Sequence, residues 1–79
     1  MNKIKLDLDL EQVNNLCKIC DTCGFDVNVI AGQLCVDGCS VMGVMGMTGR
    51  TVEIVPITSD IEALSEFIGR VKELGAYEE

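Results

Sequence analysis

Polar and apolar residues alternate strictly in Lys3-Ile4-Lys5-Leu6-Asp7-Leu8-Asp9. That is the period of a half-buried strand with Ile4, Leu6 and Leu8 on its core face. The period then lengthens. Across residues 10–21 the apolar positions are Leu10, Val13, Leu16, Cys17 and Cys20, one buried stripe of a helix. Asp9 is placed to cap this helix, Glu11 and Gln12 suit its positive end, and Gly24 suits its stop. Alternation returns in Phe25-Asp26-Val27-Asn28-Val29, and Ile30 continues the apolar run. Ala31-Gly32 reads as a turn and Gln33-Leu34-Cys35-Val36-Asp37 as the partner strand, so residues 25–37 predict a hairpin.

The stretch from Gly38 to Gly49 breaks both periods. It is apolar, but Gly43 and Gly46 would each cost an ordinary helix about 1 kcal/mol relative to alanine. A short helix over 40–47, opened by Ser40 as N-cap and closed by Gly49, fits the pattern. Val41, Met42 and Met45 then share one stripe. Methionine is flexible and polarizable, which suits a surface that receives partners. Thr51-Val52-Glu53-Ile54-Val55-Pro56-Ile57 alternates once more, with Pro56 expected at an edge or leaving the sheet. Thr58-Ser59-Asp60 supplies a cap. Ile61, Leu64, Ile68, Val71 and Leu74 mark the stripe of a last helix, with Ala63 and Phe67 at its margin and Gly75 as its end. Residues 76–79 read as a short acidic tail.

The element order is strand, helix, strand, strand, short helix, strand, helix. Two amphipathic helices must cover one face of a single sheet, an α+β two-layer arrangement in one domain spanning 1–79. With 79 residues, such a domain buries only about 60% of its unfolded surface, so the core is thin. Phe25, Phe67 and Tyr77 are the only aromatic residues, and aliphatic side chains and methionine must fill the interior.

Composition narrows the function. The net charge is −7, and the six basic residues form no cluster. A nucleic-acid backbone or an anionic membrane surface would need a positive face, so neither is an expected partner. No apolar run approaches the ~20 residues of a membrane span, and the chain reads as cytoplasmic. There are five cysteines, an odd number that suits free thiols in a reducing compartment. The chain has no histidine, which excludes histidine catalysis, histidine metal ligation and a histidine phosphoenzyme.

The run Ser40-Val41-Met42-Gly43-Val44-Met45 resembles the Ser-Ile-Met-Gly-Val-Met segment of the HPr family, the small phosphocarriers of the bacterial sugar phosphotransferase system. The resemblance extends over about residues 25–74: Asp26-Val27-Asn28-Val29, Gly32 and Val36 fall in the central hairpin, Val52-Glu53-Ile54 in the last strand, and Glu62-Ala63-Leu64 in the last helix. It implies an HPr-like open-faced sandwich, a four-stranded antiparallel sheet covered by three helices in the order βαββαβα. Aligned through the hairpin, the family's phosphorylated histidine falls at Asp9, its arginine at Glu11 and its proline at Gln12. The loop before the first helix is also a few residues short. A working phosphohistidine relay is therefore rejected. An aspartyl phosphate on Asp9 is the remaining form of a phosphoryl carrier, but Glu11 would repel the incoming anion.

Ser40 aligns with the family's regulatory phosphorylation serine, and Val41, Met42 and Met45 with the apolar patch that HPr presents to enzymes and to a transcriptional regulator. Cys39 stands where the family usually has lysine. The resemblance thus implies a non-catalytic regulatory module. It would dock through residues 40–47, Met47 included, be phosphorylated on Ser40 by a serine kinase, and use no cofactor. A second alternative rests on the cysteines. Cys17, Cys20 and Cys23 have the x2 spacing of iron–sulfur and zinc ligand runs, with Cys35 or Cys39 as a further ligand, which would make a metal or redox module. On a regular helix these residues pack instead as small hydrophobes. Cys23 is the thiol expected to be most exposed.

Overall fold

The computed structural model describes residues 3–79. Strand β1 (Ile4–Asp7) leads into helix α1 (Leu10–Thr22), then the hairpin of β2 (Asp26–Ala31) and β3 (Leu34–Asp37). Helix α2 (Val41–Met45), strand β4 (Thr51–Ile57), helix α3 (Ile61–Glu73) and strand β5 (Tyr77–Glu78) follow. The strands form one antiparallel sheet in the order β3-β2-β4-β1-β5. The α+β class is as expected, but the sheet has five strands, one more than the pattern predicts. Residues 76–79 are not a free tail. The backbones of Lys3 and Glu79 exchange hydrogen bonds of 3.0 and 2.8 Å, which extend the pairing of β5 with β1. No helix of the described residues is long and apolar enough to cross a membrane.

Period-2 alternation sends Ile4 and Leu6, Val27 and Val29, and Val52 and Ile54 to the face that carries the helices, and all six are buried. Helix α1 brings Val13, Leu16, Cys17, Ile19 and Cys20 onto that face, and α3 brings Phe67 and Val71. Phe67 is the centre of the α3 stripe and not its margin. Its ring meets Phe25 edge-on at 5.4 Å between centroids, and each fully buried side chain of this kind contributes about 1.5–3 kcal/mol. The ends of both long helices depart from the pattern. Leu10 and Ile61, expected on buried stripes, are 64% and 80% exposed. Each opens its helix, one residue past the capping aspartate.

Pro56 stays inside a central strand. The Val27 carbonyl accepts from the Gly38 N–H on the β3 side, so the Val27–Pro56 pair is not a hydrogen-bonded one. The ring nitrogen therefore faces the β1 side, beyond Ile4–Ile54, where the described β1–β4 register ends. No described ladder bond is lost to the missing N–H. The hairpin turn is Gly32-Gln33, one residue later than the Ala31-Gly32 expected. Ala31 pairs with Leu34, and Gly32 takes φ +61°, the positive value needed at the first position of a II′ turn.

Candidate docking site

Asp37 and Ser40 shape the entry to α2. The Asp37 carboxylate accepts from the Cys39 N–H at 2.8 Å, and its carbonyl accepts from the Ser40 N–H at 3.0 Å. Ser40, at φ −87° and ψ 97°, is the N-cap, and its Oγ accepts from the Gly43 N–H at 3.3 Å. Gly43 explains its own presence in a helix. A Cβ built there would lie 3.1 Å from Ser40 Oγ and 3.2 Å from the Val36 side chain. Its absence lets α2 lie close on β3. The exit is held as tightly. The Gly49 N–H donates to the Leu8 carbonyl at 2.8 Å, and the Leu8 N–H donates to the Arg50 carbonyl at 3.0 Å.

This clamped turn of helix divides its apolar residues cleanly. Val44 is fully buried and anchors α2. Met42 is 86% exposed, and Val41 and Met45 are exposed beside it. Met47, which the sequence places in the docking set, belongs to the core at 1% exposure. The helix ends at Gly46, so Met47 lies in the following turn, where helical spacing no longer decides which way a side chain faces. Leu10, at the start of α1, is a further exposed apolar residue. It follows Leu8, to which the exit of α2 is bonded, and the pattern gave no sign of it because its spacing matches the buried stripe.

Asp9 is an N-cap in the full reciprocal form. Its carboxylate accepts from the Gln12 N–H at 3.0 Å, while Gln12 Oε1 accepts from the Asp9 N–H at 3.1 Å. Among the described residues the ion pairs are Lys5–Glu79 and Lys72–Glu78, so Asp9 has no cation bonded to it.

The cysteines divide by depth. Cys17 and Cys20 are buried in the core, and Cys23 is half-buried with its thiol directed at the Cys20 and Phe25 carbonyls, 3.2 Å from each. Cys35 and Cys39 are the exposed thiols, in place of Cys23. Burial, and then the thiols around it, push Cys20 up to about 12. Burial, then Cys39, raises Cys17. Cys39 is raised by partial desolvation and then by the Asp37 and Asp21 carboxylates. Raised thiols are poor nucleophiles and poor metal ligands. Among the described residues no group of three or more His, Cys, Asp or Glu side chains is arranged to hold a metal ion.

Neither a family model nor a curated protein matches this chain.

Proposed function

We propose that this chain is a divergent HPr-like regulatory module of the sugar phosphotransferase type, without catalytic activity, which docks on a protein partner through Val41, Met42 and Met45. One observation carries the reading. A helix of five residues is fixed at both ends and anchored by Val44, yet turns Met42 almost wholly to solvent. Placing apolar side chains on so well-held a segment costs solubility without adding to the core, and a partner's pocket would repay it. The element order and the neighbours β3-β2-β4-β1 accord with the HPr-like arrangement, and Ser40 heads α2 as the motif requires.

Ser40 is the proposed switch. A phosphate there adds roughly −2 of charge beside Asp37 and at the margin of the Met42 face. A partner that reads the phosphorylated form would set basic residues next to an apolar pocket. A serine kinase and a transcriptional regulator or phosphotransferase component are the partner classes proposed. Asp9, engaged as a cap and with no cation bonded to it among the described residues, lends nothing to a phosphoryl carrier.

The test pairs labelling with capture. Incubated with an HPr-type serine kinase and ATP, the wild type should gain one phosphate and Ser40→Ala none, read by intact-mass spectrometry. Immobilised wild-type chain should retain a cytoplasmic protein that Met42→Asp and Met45→Asp release, each losing about tenfold in affinity or more, as for a central apolar contact. Equal retention by wild type and both variants would remove the docking face from consideration.

A further inference from the structure

The two edges of the sheet are finished differently. β5 is only two residues long, and one of the two, Glu78, is charged. Its Glu78 meets Lys72 at 3.7 Å, and the adjoining Glu79 meets Lys5 at 3.2 Å. Short, charged edges resist strand addition. β3 is the other edge. Its sequence is Leu34-Cys35-Val36-Asp37, with no lysine, no proline and a single charge at its last position.

The register shows which groups β3 presents outward. The Gly38 N–H bonds to the Val27 carbonyl, and Val29–Val36 and Ala31–Leu34 pair two and four residues along. Leu34 and Val36 therefore bond inward to β2, and Cys35 turns its N–H and C=O outward. Asp37 also points outward, but its carbonyl already accepts from Ser40. Among the described residues, Cys35 is the one position of β3 with both backbone groups free.

We propose that the β3 edge is the site of a symmetric homodimer, in which β3 of a second copy adds antiparallel about a two-fold axis through Cys35. A residue on the axis supplies its donor to its twin's acceptor and receives the reverse, so the two free groups of Cys35 satisfy each other. The same register sets Leu34 against Val36 of the other copy, an apolar pair on the helix-bearing side, where Leu34 is 53% exposed. It also sets Asp37 against the other copy's Gln33. An axis through Asp37 would oppose two carboxylates and is disfavoured. The net charge of −7 on each copy opposes association, so the dimer should strengthen as salt rises past about 0.15 M, where the screening length is ~8 Å.

Sedimentation velocity under reducing conditions, from micromolar to millimolar protein, tests this. The wild type should show a concentration-dependent dimer, more populated at higher salt. Cys35→Lys charges the edge, and Cys35→Pro removes an N–H that no intramolecular bond uses. Both should be monomeric throughout, with unchanged circular dichroism showing that they fold. Met42→Asp, on the α2 face, should dimerise like the wild type. A wild type that stays monomeric, or a dimer that survives Cys35→Lys or is lost in Met42→Asp, overturns the proposal.

Discussion

Gln12 fastens the start of α1 to the end of α3. Its Nε2 donates to the Leu74 carbonyl at 2.7 Å, while its Oε1 accepts from the Asp9 N–H at 3.1 Å. One amide thus completes a capping box and satisfies a carbonyl at the C-cap of a helix distant in sequence. Helix ends leave such groups without intrahelical partners, and a part-buried orphan is costly.

Removal of this amide should show in stability. Gln12→Ala is expected to lose about 1–2 kcal/mol, the sum of half a capping box and one long-range hydrogen bond. Gln12→Glu keeps an acceptor for the Asp9 N–H but aims a carboxylate at the Leu74 carbonyl, so it should recover only the capping part. Urea unfolding at neutral pH, followed by circular dichroism, orders the three proteins. Equal midpoints would mean that water replaces the Leu74 contact without loss.

Gly38 and Cys20 set the spacing between α1 and the segment that leads to α2. A Cβ on Gly38 would lie 2.7 Å from Cys20 Sγ, 3.1 Å from Cys20 Cβ and 3.2 Å from the Val27 carbonyl oxygen. The first distance is shorter than packed atoms allow, and Cys20, 2% exposed, has little space to retreat into. Gly38→Ala should therefore destabilise by about 1–3 kcal/mol, the usual cost of overpacking. Cys20→Ala in the same chain removes Sγ and should return part of that loss, since contacting residues couple by about 0.5–3 kcal/mol. A double-mutant cycle in urea checks the coupling, and strict additivity would contradict the contact.

Elements whose cause is local were readable from the sequence. Asp9, Ser40 and Asp60 all cap the helices they precede, because a side-chain acceptor acts within three residues of itself. The alternation of β1, β2 and β4 was equally direct. Features fixed by distant partners were not readable. Tyr77–Glu78 is a strand only because β1 offers it an edge, and Leu10 and Ile61, each the first residue of its helix after the cap, are exposed although their spacing matches the buried stripes. The same limit applied at the candidate site. Helical spacing put Val41, Met42 and Met45 on one stripe, but it could not orient Met47, which follows the end of α2. Met47 fills the core there, and only the packing reveals it.

The thiols give a graded readout of burial with a defined pH dependence. Cys35 is exposed, Cys39 is exposed but raised by desolvation and the carboxylates beside it, and Cys20 is buried and pushed up to about 12. Iodoacetamide at mildly alkaline pH should label Cys35 first and Cys20 last, the latter only as fast as the chain unfolds. Peptide mass spectrometry gives the order. The Cys20 shift also makes stability depend on pH. Below its ordinary value of 9.0 the thiol is protonated in both states and contributes no slope. Between 9.0 and about 12 the unfolded chain releases the proton and the folded chain keeps it. The unfolded state then binds fewer protons, and stability falls by up to about 1.4 kcal/mol per pH unit. Cys20→Ala starts from a lower stability because it leaves a cavity, yet its decline with pH should be shallower than that of the wild type. Urea midpoints taken from pH 7 to pH 10.5 for both proteins measure the difference in slope. Parallel declines would mean that the Cys20 thiol ionises in the folded protein as readily as in the unfolded chain, and that the core around it admits water.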